Sequence, residues 1–404
     1  MSGRRVAHQV LATLGYGDAI GHEVLAIQRV LRNAGYESEI FVETADPRLE
    51  PLTRDYHDLT AASHPDHLLV HHFSIGSPAS RVAYALPDRM MLVYHNITPP
   101  EFYAGINREL VRRCFRGRRE LRAYAARCEL ALGDSEFNRS ELEAFGFPET
   151  GVLPVVADFS HLEVQPNRLM AGALDDERQN ILFVGRMVPN KKIEDLIRIF
   201  HAYKTRFQAA SRLLIVGSYG GYERYLASLQ HLVASLSLTR DVVITGDVSN
   251  EELTAYYDVA DLFLCASEHE GFCVPLIEAF YKDIPVVAFA ATAVPATMDG
   301  AGVLYDRKDP LDVAGLINAV LSDAALADRI TAGQQAALAR LRSRDFAGAL
   351  LGFTERALAM PRRPPVEVAW DFWAQFEALD RLEDLRLDRP AIYRALPEKP
   401  HGLA

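Results

Sequence analysis

NILFVGRMVPNKKIEDLIRIF, residues 180–200, is an apolar run, a Gly185-Arg186 turn, and then apolar residues at 193, 196, 197 and 200. That is a buried strand passing through a short loop into an amphipathic helix. The same unit recurs on either side. Downstream, apolar runs at 212–218, 241–247, 261–267, 284–289 and 302–306 alternate with helical periodicity. Upstream, runs at 6–14, 38–43, 67–74, 90–96, 128–135 and 151–158 do the same, with helices at 22–35 (stopped by Gly35) and 135–146 (capped by Ser135, stopped by Gly146). Strands alternating with helices of 10–15 residues imply parallel sheets covered on both faces.

Residues 159–178 are polar and lack a clear period, and they read as a linker between the two blocks. A chain of 404 residues suits two domains rather than one core. The expected fold class is therefore α/β, with two Rossmann-like doubly wound domains facing each other across a cleft. After 310 the chain reads as helical to about 388.

With 49% hydrophobic and 24% charged residues, the composition is that of a soluble globular protein. No apolar run reaches the roughly 18 residues of a membrane span. The N-terminal stretch 1–21 resembles a signal peptide only loosely and reads as the first strand, which suits a cytoplasmic protein. Cys114, Cys128, Cys265 and Cys273 form no CxxC pair, which fits reduced thiols and argues against a zinc module. A net charge of −11 disfavours nucleic acid as a partner. Lysine occurs only at 191, 192, 204, 282, 308 and 399, so the adjacent Lys191-Lys192 stands out.

Ligands of doubly wound sheets sit beyond the carboxyl ends of the strands, where the chemistry-bearing residues of this chain fall. Gly185, Arg186 and Lys191 combine close backbone approach, a planar fork and a point charge near a helix N-terminus. They form a site for a diphosphate, or else solvated loop charges. The stretch EHEGFCVPLIEAF, 268–280, is a loop leading into a helix with Pro275 in its first turn. Its backbone N–H groups at 271–274 suit hydroxyls or phosphate oxygens. In a continuous helix, Glu270 and Glu278 would lie about 12 Å apart along the axis. That exceeds the roughly 5 Å of a retaining glycosidase pair and the roughly 6.5–9.5 Å of an inverting one. No His or Asp lies at metal-ligand spacing. The pair suits an extended, hydroxyl-rich ligand held at two points; the plain alternative is one surface acid and one helix-dipole acid.

GRMVPNKK followed by EGFCVPLIE resembles the paired signature of the retaining GT-B glycosyltransferases, in particular family 4. The resemblance is strong over 180–306 and looser in the first half, at GYGDAIGHE, VYHN and GDSEFNRSEL. It implies transfer of a sugar from a nucleoside diphosphate sugar to an acceptor hydroxyl, with retention and without a metal or other cofactor. Arg186 and Lys191 would hold the donor diphosphate. Glu270 would contact sugar hydroxyls, helped by backbone groups of Gly271, Phe272, Cys273 and Val274, and Glu278 would take the ribose. The loop ending at Val248 would lie near the base. Gly17 would offer backbone N–H groups to the donor, unless its turn is simply tight. His95 would be the active-site histidine, unless it is a structural hydrogen-bonder; His71 and His72 receive no role.

The expected domains are an acceptor domain at 1–165, a donor domain at 178–365, and a C-terminal helix and tail at 366–404 packing back on the first domain. The arginine-rich stretch 107–127 either docks at an anionic membrane surface or a lipid-linked acceptor, or forms a solvated helix face. Polysaccharide biosynthesis is the implied setting, with a saccharide, lipid-linked or small-molecule acceptor. The alternatives are a nucleotide-sugar epimerase of similar fold and a non-catalytic two-domain sugar-binding protein.

Overall fold

The computed structural model describes residues 5–364, 366 and 370–396. The first sheet has seven parallel strands: β1 (Ala7–Leu14), β2 (Ile40–Ala45), β3 (Thr53–Asp55), β4 (Leu68–Phe73), β5 (Arg89–Tyr94), β6 (Leu130–Gly133) and β7 (Thr150–Val152). Their order is β3-β2-β1-β4-β5-β6-β7. The second sheet holds six: β8 (Gln179–Val184), β9 (Ser211–Val216), β10 (Val242–Ile244), β11 (Leu262–Cys265), β12 (Val286–Phe289) and β13 (Val303–Tyr305). Their order is β10-β9-β8-β11-β12-β13, the doubly wound arrangement. Every residue of β4 and of β9 is buried, as expected of central parallel strands covered on both faces.

Two differences from the sequence pattern have local causes. The strand expected over 151–158 is only Thr150–Val152, because Pro154 brings no N–H to a ladder. The edge strand β3 is Thr-Arg-Asp and carries no apolar run by which to find it.

One unit comprises the chain up to Val156 together with residues from Asp345 onward, and the other comprises Ala157–Arg344. The sequence pattern sets its limits at 165, 178 and 365, and the packing explains the offset. Phe159 and Leu162, inside the expected linker, are buried in the second unit's core with Leu214, Phe263 and Phe280. The linker also folds locally, with a helix at Arg168–Leu174. Leu350 and Ala357, on the helix Phe346–Ala359, belong instead to the first unit's core with Val70, Met91 and Leu132. Arg89 donates to the Met360 carbonyl at the end of that helix (2.7 Å).

The arginine-rich stretch is the helix Arg108–Tyr124, capped by Asn107. Its cations are largely engaged within the unit. Arg108 and Arg112 reach Asp384 on the helix Trp370–Asp388, and Arg118 bonds Glu141. The buried Arg127 donates to the carbonyls of Tyr84, Leu86 and Asp88. Arg119 and Arg122 lie over phenylalanine rings. Residues 367–369 and 397–404 of the expected tail, and 365 just before it, lie outside the described residues. No single helix among the described residues is long and apolar enough to cross a membrane.

Candidate functional site

In the second sheet β8 and β11 are neighbours, while the chain runs from β8 to β9 on the other side. This is the switch point at which such sheets bind ligands. Gly185-Arg186 leaves β8 there, and the loop 266–273 leaves β11. The backbones after β8 and β9 approach closely: a Cβ built on Gly217 would stand 2.2 Å from the Gly185 carbonyl oxygen. Arg186 is exposed, its guanidinium 5.7 Å from the Tyr222 ring centroid.

Next comes a 3-10 turn, Pro189–Lys191, and then the helix Ile193–Arg206 with Lys192 as its N-cap in left-handed conformation (φ 52°). The turn is tied to the β11 loop. The Glu268 N–H donates to the Asn190 carbonyl (2.8 Å), and the Asn190 amide donates to the His269 carbonyl (2.9 Å). This brings Lys191 against Glu270, 79 residues later: its Nζ lies 2.6 Å from both carboxylate oxygens, with Glu270 buried. Burial works against the ammonium, but Glu270 outweighs it, and the Lys191 pKa is raised. Glu270 is itself held at the backbone by Thr292, whose hydroxyl accepts its N–H (2.8 Å) and donates to its carbonyl (2.9 Å).

A left-handed lysine costs about 1 kcal/mol that glycine does not. Lys192→Gly and Lys192→Ala both lose the contacts to Glu268 and Glu194, so their difference isolates the backbone. The glycine variant is expected to be more stable by about 1 kcal/mol in urea unfolding.

Gly271, Phe272 and Cys273 lead into the helix Val274–Tyr281, with Cys273 as N-cap at φ 77°. Glu278 lies inside that helix, buried, with partners of its own. The Tyr257 hydroxyl donates to one oxygen (2.7 Å), and His161 Nε2 bonds the other (2.8 Å). Glu270 and Glu278 therefore occupy separate settings and do not form a pair. Val248, beyond β10, is partly buried against the second core. The sequence reading missed Asn190, Thr292, Tyr257 and His161. Only Tyr257, beside a strand and in helical register, carried a signal.

In the first unit Gly17 is exposed at φ 75°, just ahead of the helix Ala19–Asn33 whose N-cap is Asp18. His95, after β5, is buried. Its Nδ1 lies 3.0 Å from Asp134 and 3.9 Å from Glu23, and its Nε2 lies 2.9 Å from His72 Nδ1. His72 Nε2 donates to Gln9 Oε1 (2.9 Å), so His72 Nδ1 is an acceptor and His95 Nε2 carries a proton. A proton on Nδ1 facing Asp134 makes His95 an imidazolium. Burial opposes that charge; Asp134 and Glu23 overcome it and raise its pKa to about 9. Burial, chiefly, lowers His71 to about 3 and puts His72 well below the ordinary value.

The signs give an optimum. The folded state holds its extra proton on His95 between the ordinary 6.5 and about 9, so stability from this group is full below 6.5 and is lost as pH rises through 9. The buried neutral His71 and His72 act oppositely, so stability falls as pH drops below 6.5. Burial and Asp134 raise Glu23 to about 8, so its contribution is also lost as pH rises. Thermal unfolding is expected to peak near pH 6.5, and His95→Gln is expected to make the alkaline limb shallower.

Two Rossmann-like units, one with a basic and acidic cluster at its switch point, define a doubly wound α/β protein. Residues 168–336 match the family model described as glycosyl transferases group 1. The chain is 33% identical over 158 residues to an uncharacterized glycosyltransferase of Methanocaldococcus jannaschii, covering 39% of each chain. It is 30% identical over 186 residues to a D-inositol 3-phosphate glycosyltransferase of Xylanimonas cellulosilytica, covering 46% of this chain and 43% of that one. The match thus spans less than half the length of these relatives. Sucrose-phosphate synthase from Thermosynechococcus elongatus superposes over 88% of this chain and 99% of its own, with a TM-score of 0.68 and 18% identity. Anabaena HepE in complex with UDP-glucose does so over 86% and 98%, with a TM-score of 0.68 and 16% identity. The fold is GT-B.

Proposed function

We propose that the protein is a retaining glycosyltransferase, taking a sugar from a nucleoside diphosphate sugar to an acceptor hydroxyl without a metal. The observation that carries this is the Lys191–Glu270 pair at the second sheet's switch point, beside the exposed Arg186. Lys191 and Glu270 satisfy each other's charge. A donor diphosphate takes over Lys191 and Arg186, which frees the Glu270 carboxylate for sugar hydroxyls. The N–H groups of Gly271, Phe272, Cys273 and Val274 add fixed dipoles. Glu278, oriented by Tyr257 and His161, takes the ribose hydroxyls, and the Val248 loop flanks the base. From the first unit, Gly17 offers backbone N–H groups. His95 contributes a positive charge and its main chain, since both ring nitrogens are engaged.

The bond from the anomeric carbon to the diphosphate breaks, and the acceptor oxygen bonds to the same face. The acceptor proton passes to the departing phosphate oxygen. The cations offset charge on that oxygen where the positive charge peaks on the sugar. The acceptor is a glycan, glycolipid or small molecule of polysaccharide-type biosynthesis. The arginine helix adds no argument for a membrane surface, because its cations are engaged internally.

The test is a panel of nucleoside diphosphate sugars, reading released nucleoside diphosphate and the sugar product for wild type and Glu278→Ala. Turnover of one donor, with a glycosylated acceptor and loss in the variant, is the expected result. An isomerised donor without acceptor would instead make the protein an epimerase, and binding of free sugar alone would make it a binding protein.

A further inference from the structure

Cys265 ends β11 and Cys273 caps the helix Val274–Tyr281, so the pair brackets the loop that carries Glu270. Both are free and buried. Their Sγ atoms and a Glu270 carboxylate oxygen all lie within 4.8 Å of one another. We propose that Cys265 and Cys273 form a dithiol that peroxide oxidises to a disulfide, which distorts the Glu270 loop and turns the donor site off. The thiol chemistry stands on its own; only the loss of donor binding rests on the function proposed above.

Three observations support it. A disulfide needs the sulfurs to close to about 2 Å, a short move for a pair already neighbours across seven intervening loop residues. Cys273 sits at φ 77°, a left-handed conformation that favours glycine, so the sulfur that would move is attached to strained backbone. The hydrogen bond from Cys273 holds the Cys265 pKa below its ordinary value, against burial, while Cys273 is raised. Cys265 is therefore the thiolate-leaning partner, 3.4 Å from Ser267 Oγ. Its thiolate attacks one peroxide oxygen to give a sulfenic acid and hydroxide. The Cys273 sulfur then displaces the sulfenic hydroxyl, forming the S–S bond and a second water. Two thiols lose two hydrogens, and one hydrogen peroxide becomes two waters. A small oxidant suits a pair this buried, and the fixed neighbour favours the internal bond over further oxidation.

The consequence falls on the same loop. Drawing Cys273 toward Cys265 moves the backbone between Glu270 and the helix start, where displacement by about 1 Å can cost 100-fold in rate.

The experiment treats the full chain with hydrogen peroxide, alkylates it with iodoacetamide and digests it with trypsin. Both cysteines fall on one peptide, 241–282, without an internal Lys or Arg. The expected result is that peptide two hydrogens lighter and unalkylated, restored by dithiothreitol, with donor turnover lost and regained in parallel. Cys265→Ala, or Cys265→Ser if the first fails to fold, should keep its turnover under peroxide. Double alkylation of the peptide after peroxide, or sulfonic acids in place of the bond, would overturn the proposal. A disulfide formed without loss of turnover would overturn the switch. If the reduced protein turns over no donor, the function fails, while the mass result still decides the dithiol.

Discussion

Lys191→Ala is expected to lower donor turnover by about 10²–10³-fold, the usual effect of removing one preorganised group that stabilises a leaving charge. It should also destabilise the fold, because Glu270 is left buried with its cationic partner gone. Breaking a buried pair on one side costs about 3–5 kcal/mol. The double variant Lys191→Ala with Glu270→Ala separates the two effects. It should recover much of the stability, since no charge is stranded, and none of the turnover. Urea unfolding and nucleoside diphosphate release on the same preparations give both readings. Recovery of turnover along with stability would mean the pair is only a structural bridge between the β8 and β11 loops. Lys191→Arg is no rescue, because a planar fork does not replace a point charge that reaches two carboxylate oxygens at 2.6 Å.

Gly217→Ala is expected to be the most damaging single methyl in the second unit. Its Cβ would stand 2.2 Å from the Gly185 oxygen and 2.7 Å from the Gly185 carbonyl carbon, both main chain, at φ 140°. The strands after β8 and β9 would have to part, at a cost of about 3 kcal/mol or more. Gly185 precedes Arg186, so turnover should fall further than the lost folded fraction explains. Gly220→Ala is the control: its Cβ meets nothing nearer than Ser218 Oγ at 3.7 Å. Its melting temperature should stay close to wild type, and a similar fall in both variants would refute the clash.

Twelve of the strands were legible because parallel strands buried on both faces are unbroken apolar runs. Three polar residues at a sheet edge, β3, offer no such run. The candidate site stood out where its residue types are rare in the sequence. Lys191 follows a strand–Gly–Arg turn in a lysine-poor chain, and Glu270 precedes a Pro-containing helix start. What could not be read is what long-range packing supplies. Thr292 reaches Glu270 from after β12, and His161 reaches Glu278 from 117 residues away. Neither has a local pattern to mark it. His95 was visible as a strand-end histidine, but its charge depends on Asp134, Glu23, His72 and Gln9, which converge only when β1, β4, β5 and β6 are laid side by side.

The first unit's core includes Leu350 and Ala357, on a helix that comes after the whole second unit in the chain. During synthesis, then, the half that is begun first is completed last. Residues 157–344 can emerge and close their own sheet while the earlier strands wait with one face uncovered. A ribosome stalled far enough beyond residue 345 for Ala157–Arg344 to have cleared its exit tunnel, with the helix Phe346–Ala359 still inside, would carry a protease-resistant second unit and a vulnerable first one. A chaperone acting on this protein would have its longest opportunity at the apolar face that the helix Phe346–Ala359 later covers.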